Sequence, residues 1–366
     1  MTDISGKTIK NIFYVNLGIK KTERVLIFTD ALYNDLRKIG KLIYKAGQQY
    51  TDHIRYVESV PTGCHGTEPP ENIWIEAFGA SAVHELRKNK FLNPLLRKKI
   101  SSTGLMNVEK IIKKHKKDAV NAVIAIPYYS TSHTRFRDML NGICGARYAS
   151  MPLFDKQMLS GAMTVDWKNM YERTVKVARI VNKFNRIEIE CPNGTSISFS
   201  TQGRKALPDT GMIAKPGQFS NLPAGEVYLA PLEGTARGTL VLEWAPTRKL
   251  KSPVIATVEK GMVTQLQGRE TYVQDLETKL AEKKENRNIA ELGIGTNDKA
   301  RRPDNILESE KILGTVHIAF GDNSSFGGNI STSFHQDFVF FKPTVILISR
   351  CGKKRVLLQN GKLLLS

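Results

Sequence analysis

Residues 308–337 read ESEKILGTVHIAFGDNSSFGGNISTSFHQD, and this stretch decides how the C-terminal half of the chain folds. Its run GTVHIAFG is β-branched and apolar, which predicts a strand that carries His317. The following GDNSSFGGN is rich in glycine and asparagine and predicts a turn that reverses the chain. Because side chains alternate along a strand, His335 and Asp337 should share one face, and the reversal should bring His317 close to them.

These three side chains indicate a possible metal site. Imidazole and carboxylate groups on rigid strands are the ligands that a first-row divalent ion requires. The competing interpretation is a surface hairpin whose histidines only form hydrogen bonds, and for an isolated His-x-Asp pattern it is the commoner one. The hairpin by itself leaves both interpretations open.

Two further acids favour the metal. Glu226 lies in NLPAGEVYLAP and Glu291 in NIAELGIGTN, and both are flanked by apolar residues and glycine. A charge in such surroundings is costly unless a cation pairs with it, although a glutamate at the rim of a strand is the commoner explanation for either one alone. Together with the histidines and the aspartate they form a nitrogen and oxygen ligand set that suits one or two divalent ions: zinc, cobalt, manganese or iron.

Composition restricts the class of protein. The chain has 366 residues, 41% of them apolar and 24% charged, which is typical of a soluble globular protein with two domains. No apolar run has the length of a membrane span, and the N-terminal residues lack the apolar core of a signal peptide. The four cysteines are scattered without a CxxC pair, which argues against a zinc ribbon. We therefore expect a cytoplasmic protein with reduced thiols and no membrane partner.

The net charge of +19 invites a nucleic-acid interpretation, but its distribution argues against one. The basic clusters are spread along the chain, and no aromatic side chains alternate with them as in a nucleic-acid surface. A solvated, lysine-rich surface is the preferred explanation, and a surface for an anionic partner is the alternative. We do not expect a nucleic-acid partner.

The chain is predicted to form two domains of the α/β class. In residues 1–175, strands over 24–30, 53–60 and 119–127 alternate with helices over 82–96 and 108–117, which predicts a Rossmann-like α/β domain with parallel strands. Residues 176–366 contain short strands and turns, including an Asn-Gly hairpin in RIEIECPNGTSISFSTQGR, and predict a β-rich α+β domain that carries the metal site. Both glycine-rich nucleotide motifs, GxGxxG and GxxxxGK[ST], are missing from the sequence.

One loop of the first domain is a candidate for substrate contact. It follows the strand over 119–127 and carries Ser130, His133 and Arg137, and α/β folds bind ligands at the carboxyl ends of parallel strands. The equally good alternative is a helix cap, in which Ser132 or Thr134 caps a helix that begins at residue 135.

Several segments in combination resemble the aminopeptidase T family of metallopeptidases, in particular its shorter branch that is often labelled leucyl aminopeptidase. They are SHTRFRDMLNGICGARYASMP, NLPAGEVYLAPLEGTARGTLV, NIAELGIGTN, LGTVHIAFGDN and FGGNISTSFHQDF. The resemblance implies a two-domain, dimeric metalloenzyme that releases N-terminal amino acids from peptides by metal-activated water. It implies Glu291 and Glu310 as catalytic carboxylates, and a pair of divalent ions bound by five residues: Glu226, Glu291, His317, His335 and Asp337.

Two positions depart from the peptidase pattern. Peptidases of this family carry a glutamate five residues before the first histidine, where this chain has Ile312, with Glu310 as the nearest acid. They carry a catalytic tyrosine seven residues after that histidine, where this chain has Ser324.

A second activity is compatible with the same residues. The broad family resembles enzymes that use one ferrous ion to open dihydroxypyridine rings with dioxygen, and two histidines with one carboxylate are the ligand set of such non-haem iron sites. The expected order is a metallo-aminopeptidase acting on peptides first, a mononuclear Fe(II) ring-cleaving dioxygenase acting on a small molecule second, and a non-catalytic binding protein third.

Overall fold

The computed structural model describes the backbone of residues 3–365 and the side chains of residues 6–365. The chain divides into two compact units: Met1–Thr164 with Gly211–Pro223 form unit 1, and Val165–Thr210 with Ala224–Ser366 form unit 2. The boundary that the sequence predicts between residues 175 and 176 lies within a helix of unit 2. The sequence did not predict that residues 211–223 belong to unit 1.

The α-helices, in chain order, are α1 (Asp3–Asn11), α2 (Asn34–Gly47), α3 (Glu71–Phe78), α4 (Ala80–Lys88), α5 (Leu92–Leu96), α6 (Ser102–Lys114), α7 (Arg135–Met139), α8 (Trp167–Val181), α9 (Tyr272–Ala281) and α10 (Ile306–Ser309). π-Helical turns at Ile12–Asn16 and Leu140–Cys144 continue α1 and α7. None of the helices in the described part of the chain is long and apolar enough to cross a membrane.

The strands, in chain order, are β1 (Arg24–Asp30), β2 (His53–Ser59), β3 (Ala122–Ile126), β4 (Arg147–Ser150), β5 (Arg186–Glu190), β6 (Ser196–Ser200), β7 (Leu207–Asp209), β8 (Phe219–Asn221), β9 (Glu226–Leu229), β10 (Arg237–Ala245), β11 (Arg248–Glu259), β12 (Met262–Gln267), β13 (Ile289–Gly295), β14 (Val316–Gly321), β15 (His335–Phe340), β16 (Thr344–Ile348), β17 (Lys354–Gln359) and β18 (Lys362–Leu363).

Unit 1 is built on a five-stranded parallel sheet in the order β2-β1-β3-β4-β8. Strand β3 is buried along its whole length, and β1 is buried except at Arg24, as expected for strands covered on both faces. The predicted α/β architecture is confirmed. The helix predicted over residues 82–96 is two helices, α4 and α5, because Lys90 between them adopts a positive φ of 60° that an α-helix does not allow.

Unit 2 contains two antiparallel sheets, which confirms the predicted β-rich domain. One has eight strands in the order β12-β11-β10-β6-β5-β16-β17-β18, and the other has five in the order β15-β14-β13-β9-β7. Apolar side chains from both sheets form one core, including Ile187 and Phe199 from the larger sheet and Leu292, Ile318 and Phe338 from the smaller one. The smaller sheet therefore buries one face in this core and can carry polar side chains on the other.

Candidate metal centre

The predicted hairpin around His317 is confirmed. Strands β14 and β15 pair antiparallel, with Ala319 opposite Asp337 and Gly321 opposite His335. His317 lies two residues before Ala319 and therefore on the same face of the sheet. The two histidines and the aspartate thus come together through strand pairing.

Strands β13 and β9 extend this face with two acids. Gly293 lies opposite His317, and Glu291, two residues earlier on β13, shares its face. On the next strand, Glu226 pairs with Gly295. All five residues of the predicted ligand set therefore lie on one face of the five-stranded sheet, while the alternating positions of the same strands enter the core of unit 2.

Small residues between these side chains make room for the imidazole of His317. A Cβ on Gly293 would lie 1.8 Å from Cε1 and 2.0 Å from Nε2 of that ring. The side chain of His317, which is 1% exposed, therefore lies directly over the backbone of β13. Only glycine at this position allows that contact.

The donor atoms converge at distances longer than those of strong hydrogen bonds. His317 Nε2 lies 3.4 Å from Glu291 Oε1 and 3.5 Å from Glu226 Oε2. It lies 3.9 Å from Asp337 Oδ1. His335 Nε2 lies 3.5 Å from Glu291 Oε2 and 3.5 Å from Asp337 Oδ2. Two imidazoles and three carboxylates thus surround one small volume.

These distances fit a divalent metal ion. Ligand atoms at about 2.1 Å from a common ion lie about 3.0–3.4 Å from one another, close to the separations observed here. One donor atom each from Glu291, His317 and Asp337 lie within 4.8 Å of one another. Asp337 Oδ1 and Glu226 Oε2 are buried and accept no hydrogen bond from any described residue. Buried carboxylate oxygens normally have a partner, and a cation is the partner that suits these two.

A backbone contact orients His335. Its Nδ1–H donates to the carbonyl oxygen of Asp322 at 2.8 Å, which leaves Nε2 as the nitrogen that faces the acids. The side chain of Asp322 in turn accepts hydrogen bonds from the backbone N–H and the hydroxyl of Ser324 at 3.2 and 3.1 Å. A histidine that binds a metal through one ring nitrogen is normally held in place by a hydrogen bond from the other.

The acids give the cluster a strong affinity for positive charge. Burial by itself lowers the pKa of His317, but the hydrogen bond with Glu291 and the nearby carboxylates raise it to about 9. Burial is likewise outweighed at His335, where the charge of Asp337 raises the pKa to about 10. Burial raises the pKa of Glu291, whereas the two histidines hold the pKa of Asp337 below its usual range despite burial. Protons or a metal ion can supply the positive charge that these carboxylates need.

Lys311 belongs to the cluster and was missed by the sequence analysis. Its side chain is fully buried, and Nζ lies 2.7 Å from Glu226 Oε1 and 2.7 Å from Glu310 Oε2. Burial lowers the pKa of this ammonium, but the charges of Glu226 and Glu310 more than offset that effect and raise it. The only sequence signal is a lysine in SEKILG, between an acid and two apolar residues, five residues before β14.

The three positions singled out by the departures from the peptidase pattern have different surroundings. Glu310 is held by Lys311, and burial raises its pKa to about 8. Ile312 is half-buried and accepts a backbone hydrogen bond from Thr315. Ser324 is exposed and bonded to the side chain of Asp322. Ile312 therefore has no side-chain atom that could bind a metal, and the hydroxyl of Ser324 is engaged by Asp322.

The residues predicted to contact substrate lie in unit 1, and their role stays a prediction. The backbone N–H of Ser130 donates to Nδ1 of His65 at 3.0 Å. His133 is exposed. The guanidinium of Arg137 donates to the carbonyl of Ser132 at 2.7 Å and lies 4.8 Å from the centre of the Phe219 ring.

The alternative of a helix cap is confirmed in the same loop. The side chain of Thr134 accepts the backbone N–H of Arg137 and caps α7. Both carboxylate oxygens of the buried Glu68 accept backbone N–H groups from the first turn of this helix, at 2.7 Å from Arg135 and 3.0 Å from Phe136.

The chain matches one protein family, and its fold is similar to solved structures that include the following two. The family model described as NicX, 2,5-dihydroxypyridine 5,6-dioxygenase, matches residues 156–362, more than half of the chain. The structure of 2,5-dihydroxypyridine dioxygenase from Pseudomonas putida KT2440 superposes with a TM-score of 0.70 at 17% identity, covering 98% of this chain and 96% of that one. AmpT from Thermus thermophilus superposes with a TM-score of 0.59 at 15% identity, covering 99% of each chain. No curated protein matches the chain by sequence.

These findings correct the expected activity. The similarity to AmpT supports the resemblance to aminopeptidase T at the level of the fold. The family match is to a dioxygenase, and the dioxygenase structure also has the higher TM-score. The prediction of a metallo-aminopeptidase, a hydrolase that acts on peptides, was therefore wrong, and the second-ranked activity is the better supported one. The misleading signal was the ligand set, because histidine and carboxylate ligands suit hydrolytic and oxidative metal sites alike.

Proposed function

Because the chain belongs to the NicX family of 2,5-dihydroxypyridine 5,6-dioxygenases, we propose that it is a mononuclear, non-haem Fe(II)-dependent dioxygenase. Its substrate class would be a dihydroxylated pyridine or a closely similar nitrogen-containing aromatic ring, which it would open with dioxygen. The observation that carries the proposal is the convergence of His317 Nε2, His335 Nε2 and the carboxylate of Asp337 on one face of the small sheet.

We assign the iron ligands to His317, His335 and Asp337. Two imidazoles and one carboxylate leave further positions on a metal open for substrate and oxygen, which is the arrangement that non-haem iron oxygenases use. The ferrous ion, when bound, supplies the redox chemistry that allows dioxygen to react with an aromatic ring. Zinc, which has no redox chemistry, would occupy the same ligands without supporting the reaction.

Glu291 is the proposed proton acceptor. Its two carboxylate oxygens lie 3.4 Å from His317 Nε2 and 3.5 Å from His335 Nε2, so it lies between the two iron ligands. Burial raises its pKa, which makes it a better base than an exposed glutamate. A ring hydroxyl that approaches the metal can therefore lose its proton to Glu291. We assign this role to Glu291 rather than to Glu310, because the carboxylate of Glu310 is bonded to Lys311.

Anaerobic reconstitution tests the proposal. The protein, purified without oxygen and loaded with Fe(II), should consume dioxygen when 2,5-dihydroxypyridine is added, with one dioxygen taken up for each ring whose ultraviolet absorption is lost. Parallel samples loaded with Zn(II), Mn(II) or Co(II) identify the metal. A panel of dihydroxylated benzenes and pyridines identifies the substrate class.

Matched histidine variants complete the design. His335→Ala should lose at least about a thousandfold in rate together with most of its bound iron. His84→Ala, at an exposed position on α4, should keep both within about twofold. Equal turnover with zinc, or no dioxygen uptake with iron on any ring of the panel, would refute the proposed function.

The homodimer, the cytoplasmic location and the lack of a nucleic-acid partner stay predictions from the sequence. Light scattering of the purified protein tests the first of these.

A further inference from the structure

Lys311 supplies a fixed positive charge next to the proposed iron ligands. Its ammonium bridges Glu226 and Glu310 at 2.7 Å from each, and the side chain has no solvent exposure. A third acid, Asp209, adds to the negative charge around it. Asp209 lies on β7 directly opposite Glu226 on β9. The ammonium thus lies among three carboxylates.

The backbone holds Lys311 in this position. The carbonyl of Lys311 accepts the N–H of Asn297 at 2.8 Å. Gly295 packs against the same segment so closely that a Cβ there would lie 2.0 Å from the carbonyl oxygen of Ile312. The backbone of Lys311 is therefore fixed against β13, at the position from which its side chain reaches the acids.

Glu226 divides the cluster into two parts. Its Oε1 contacts the ammonium, while its Oε2 lies 3.5 Å from His317 Nε2. On one side are the two imidazoles with Glu291 and Asp337, and this part contains nitrogen donors. On the other side are the oxygen donors around Lys311. Two cationic positions thus lie on opposite sides of one carboxylate.

We propose that Lys311 fills a second cation position and so restricts this centre to a single metal ion. The inference rests on the proposed function only in that the first ion binds at the two histidines. An ammonium bonded to Glu226 and Glu310 occupies the oxygen atoms that a second ion would need. Its charge also repels any divalent ion that approaches the same carboxylates.

Removal of the ammonium should convert this position into a metal site. Lys311→Ala leaves Glu226 and Glu310 without their shared cation, and buried carboxylates without a cation are strongly unfavourable. An all-oxygen set of this kind suits hard ions such as Mn(II), Mg(II) or Ca(II). A divalent ion should therefore restore the stability that the substitution removes.

Mn(II) titration of the metal-free protein tests the proposal, with bound metal measured by mass spectrometry and by electron paramagnetic resonance. The wild type should bind one Mn(II) per chain. Lys311→Ala should bind two at the same free concentration and show the signal of a spin-coupled pair. Lys311→Arg, which keeps the charge, and Lys299→Ala, at an exposed lysine, should bind one.

A double variant guards against loss of folding. Lys311→Ala with Glu310→Gln carries one acid fewer, so it should fold more readily than Lys311→Ala and bind the second ion at least about tenfold more weakly. One ion in the wild type and one in Lys311→Ala would overturn the proposal while leaving the proposed function intact. Failure of Lys311→Ala to fold even with Mn(II) would overturn it as well. No metal in the wild type, with Mn(II) or Fe(II), would overturn the proposed function and this inference together.

Discussion

Gly293→Ala is the sharpest test of how the sheet positions the metal centre. The substitution adds one methyl group on β13, where its carbon would lie 1.8 Å from Cε1 and 2.0 Å from Nε2 of His317. Carbon atoms in contact are about 3.5–4.0 Å apart, so the ring has to move by about 1.5–2 Å or the strands have to separate. Either change displaces Nε2 from Glu291 and Asp337.

The magnitude follows from the two effects of this displacement. Overpacking a well-packed interior costs about 1–3 kcal/mol, which should appear in the free energy of unfolding of the metal-free protein. Metal–ligand distances tolerate errors of only about 0.2 Å, so a shift several times larger should remove His317 as a ligand. We expect Fe(II) to bind at least about a hundredfold more weakly, because loss of groups that merely orient ligands already costs about 10–100-fold.

Urea unfolding of the metal-free protein measures the first effect, and competition with a chromophoric chelator under anaerobic conditions measures the second. Gly142→Ala is the matched control, because a Cβ there has no atom within 4 Å. It should leave iron affinity unchanged and stability unchanged or higher by up to about 1 kcal/mol. An Fe(II) affinity within about threefold of wild type in Gly293→Ala would refute the close contact between His317 and the backbone of β13.

Three further predictions concern stability. Iron at about 100 times its Kd should raise the free energy of unfolding by about 2.7 kcal/mol in the wild type and not in His335→Ala, measured by thermal unfolding with and without Fe(II). Arg147→Met should lower the free energy of unfolding, measured in urea, by about 3 kcal/mol. The reason is that the buried guanidinium pairs with Glu23 at 2.6 Å and donates to the carbonyl of Leu17 at 2.6 Å. A loss below about 1 kcal/mol would contradict this. Burial raises the pKa of Glu68 from 4.5 to about 7, so the folded state favours the protonated carboxyl group. The protonated group therefore contributes fully to the free energy of unfolding below pH 4.5, and this contribution is lost as the pH rises through about 7. Wild type should lose up to about 3 kcal/mol more than Glu68→Gln between about pH 5 and pH 8, and parallel pH profiles would exclude this assignment.

Local sequence patterns predicted the elements of the fold well. The run RVLIFTD is a buried strand because its consecutive apolar residues 25–28 fill both faces, and its bounds match β1. The turn after β14 was readable from its glycines and asparagines, and the period of two placed His335 and Asp337 on one face. Helix ends were predicted less well. The helix predicted over residues 108–117 is α6, which begins earlier, at Ser102, after a cap at Ser101.

The reaction was not readable from the ligand residues. Histidine, aspartate and glutamate on strands suit hydrolytic and oxidative metals equally, so the choice of a peptidase rested on a resemblance that held for the fold alone. The departures at Ile312 and Ser324 were the residues that indicated the other activity.

The sequence by itself determined the strands, the hairpin and the common face of His335 and Asp337, because these depend on neighbours a few positions away. Tertiary structure alone decided which strands pair and in which register. The backbone of Gly293 lies under His317 because β13 and β14 align there, and Lys311 meets Glu226 across 85 positions of the chain. A shift of one residue in the pairing of β13 with β14 would have placed Glu291 and His317 on opposite faces of the sheet. Such long-range contacts depend on how whole sheets pack, which no local pattern encodes.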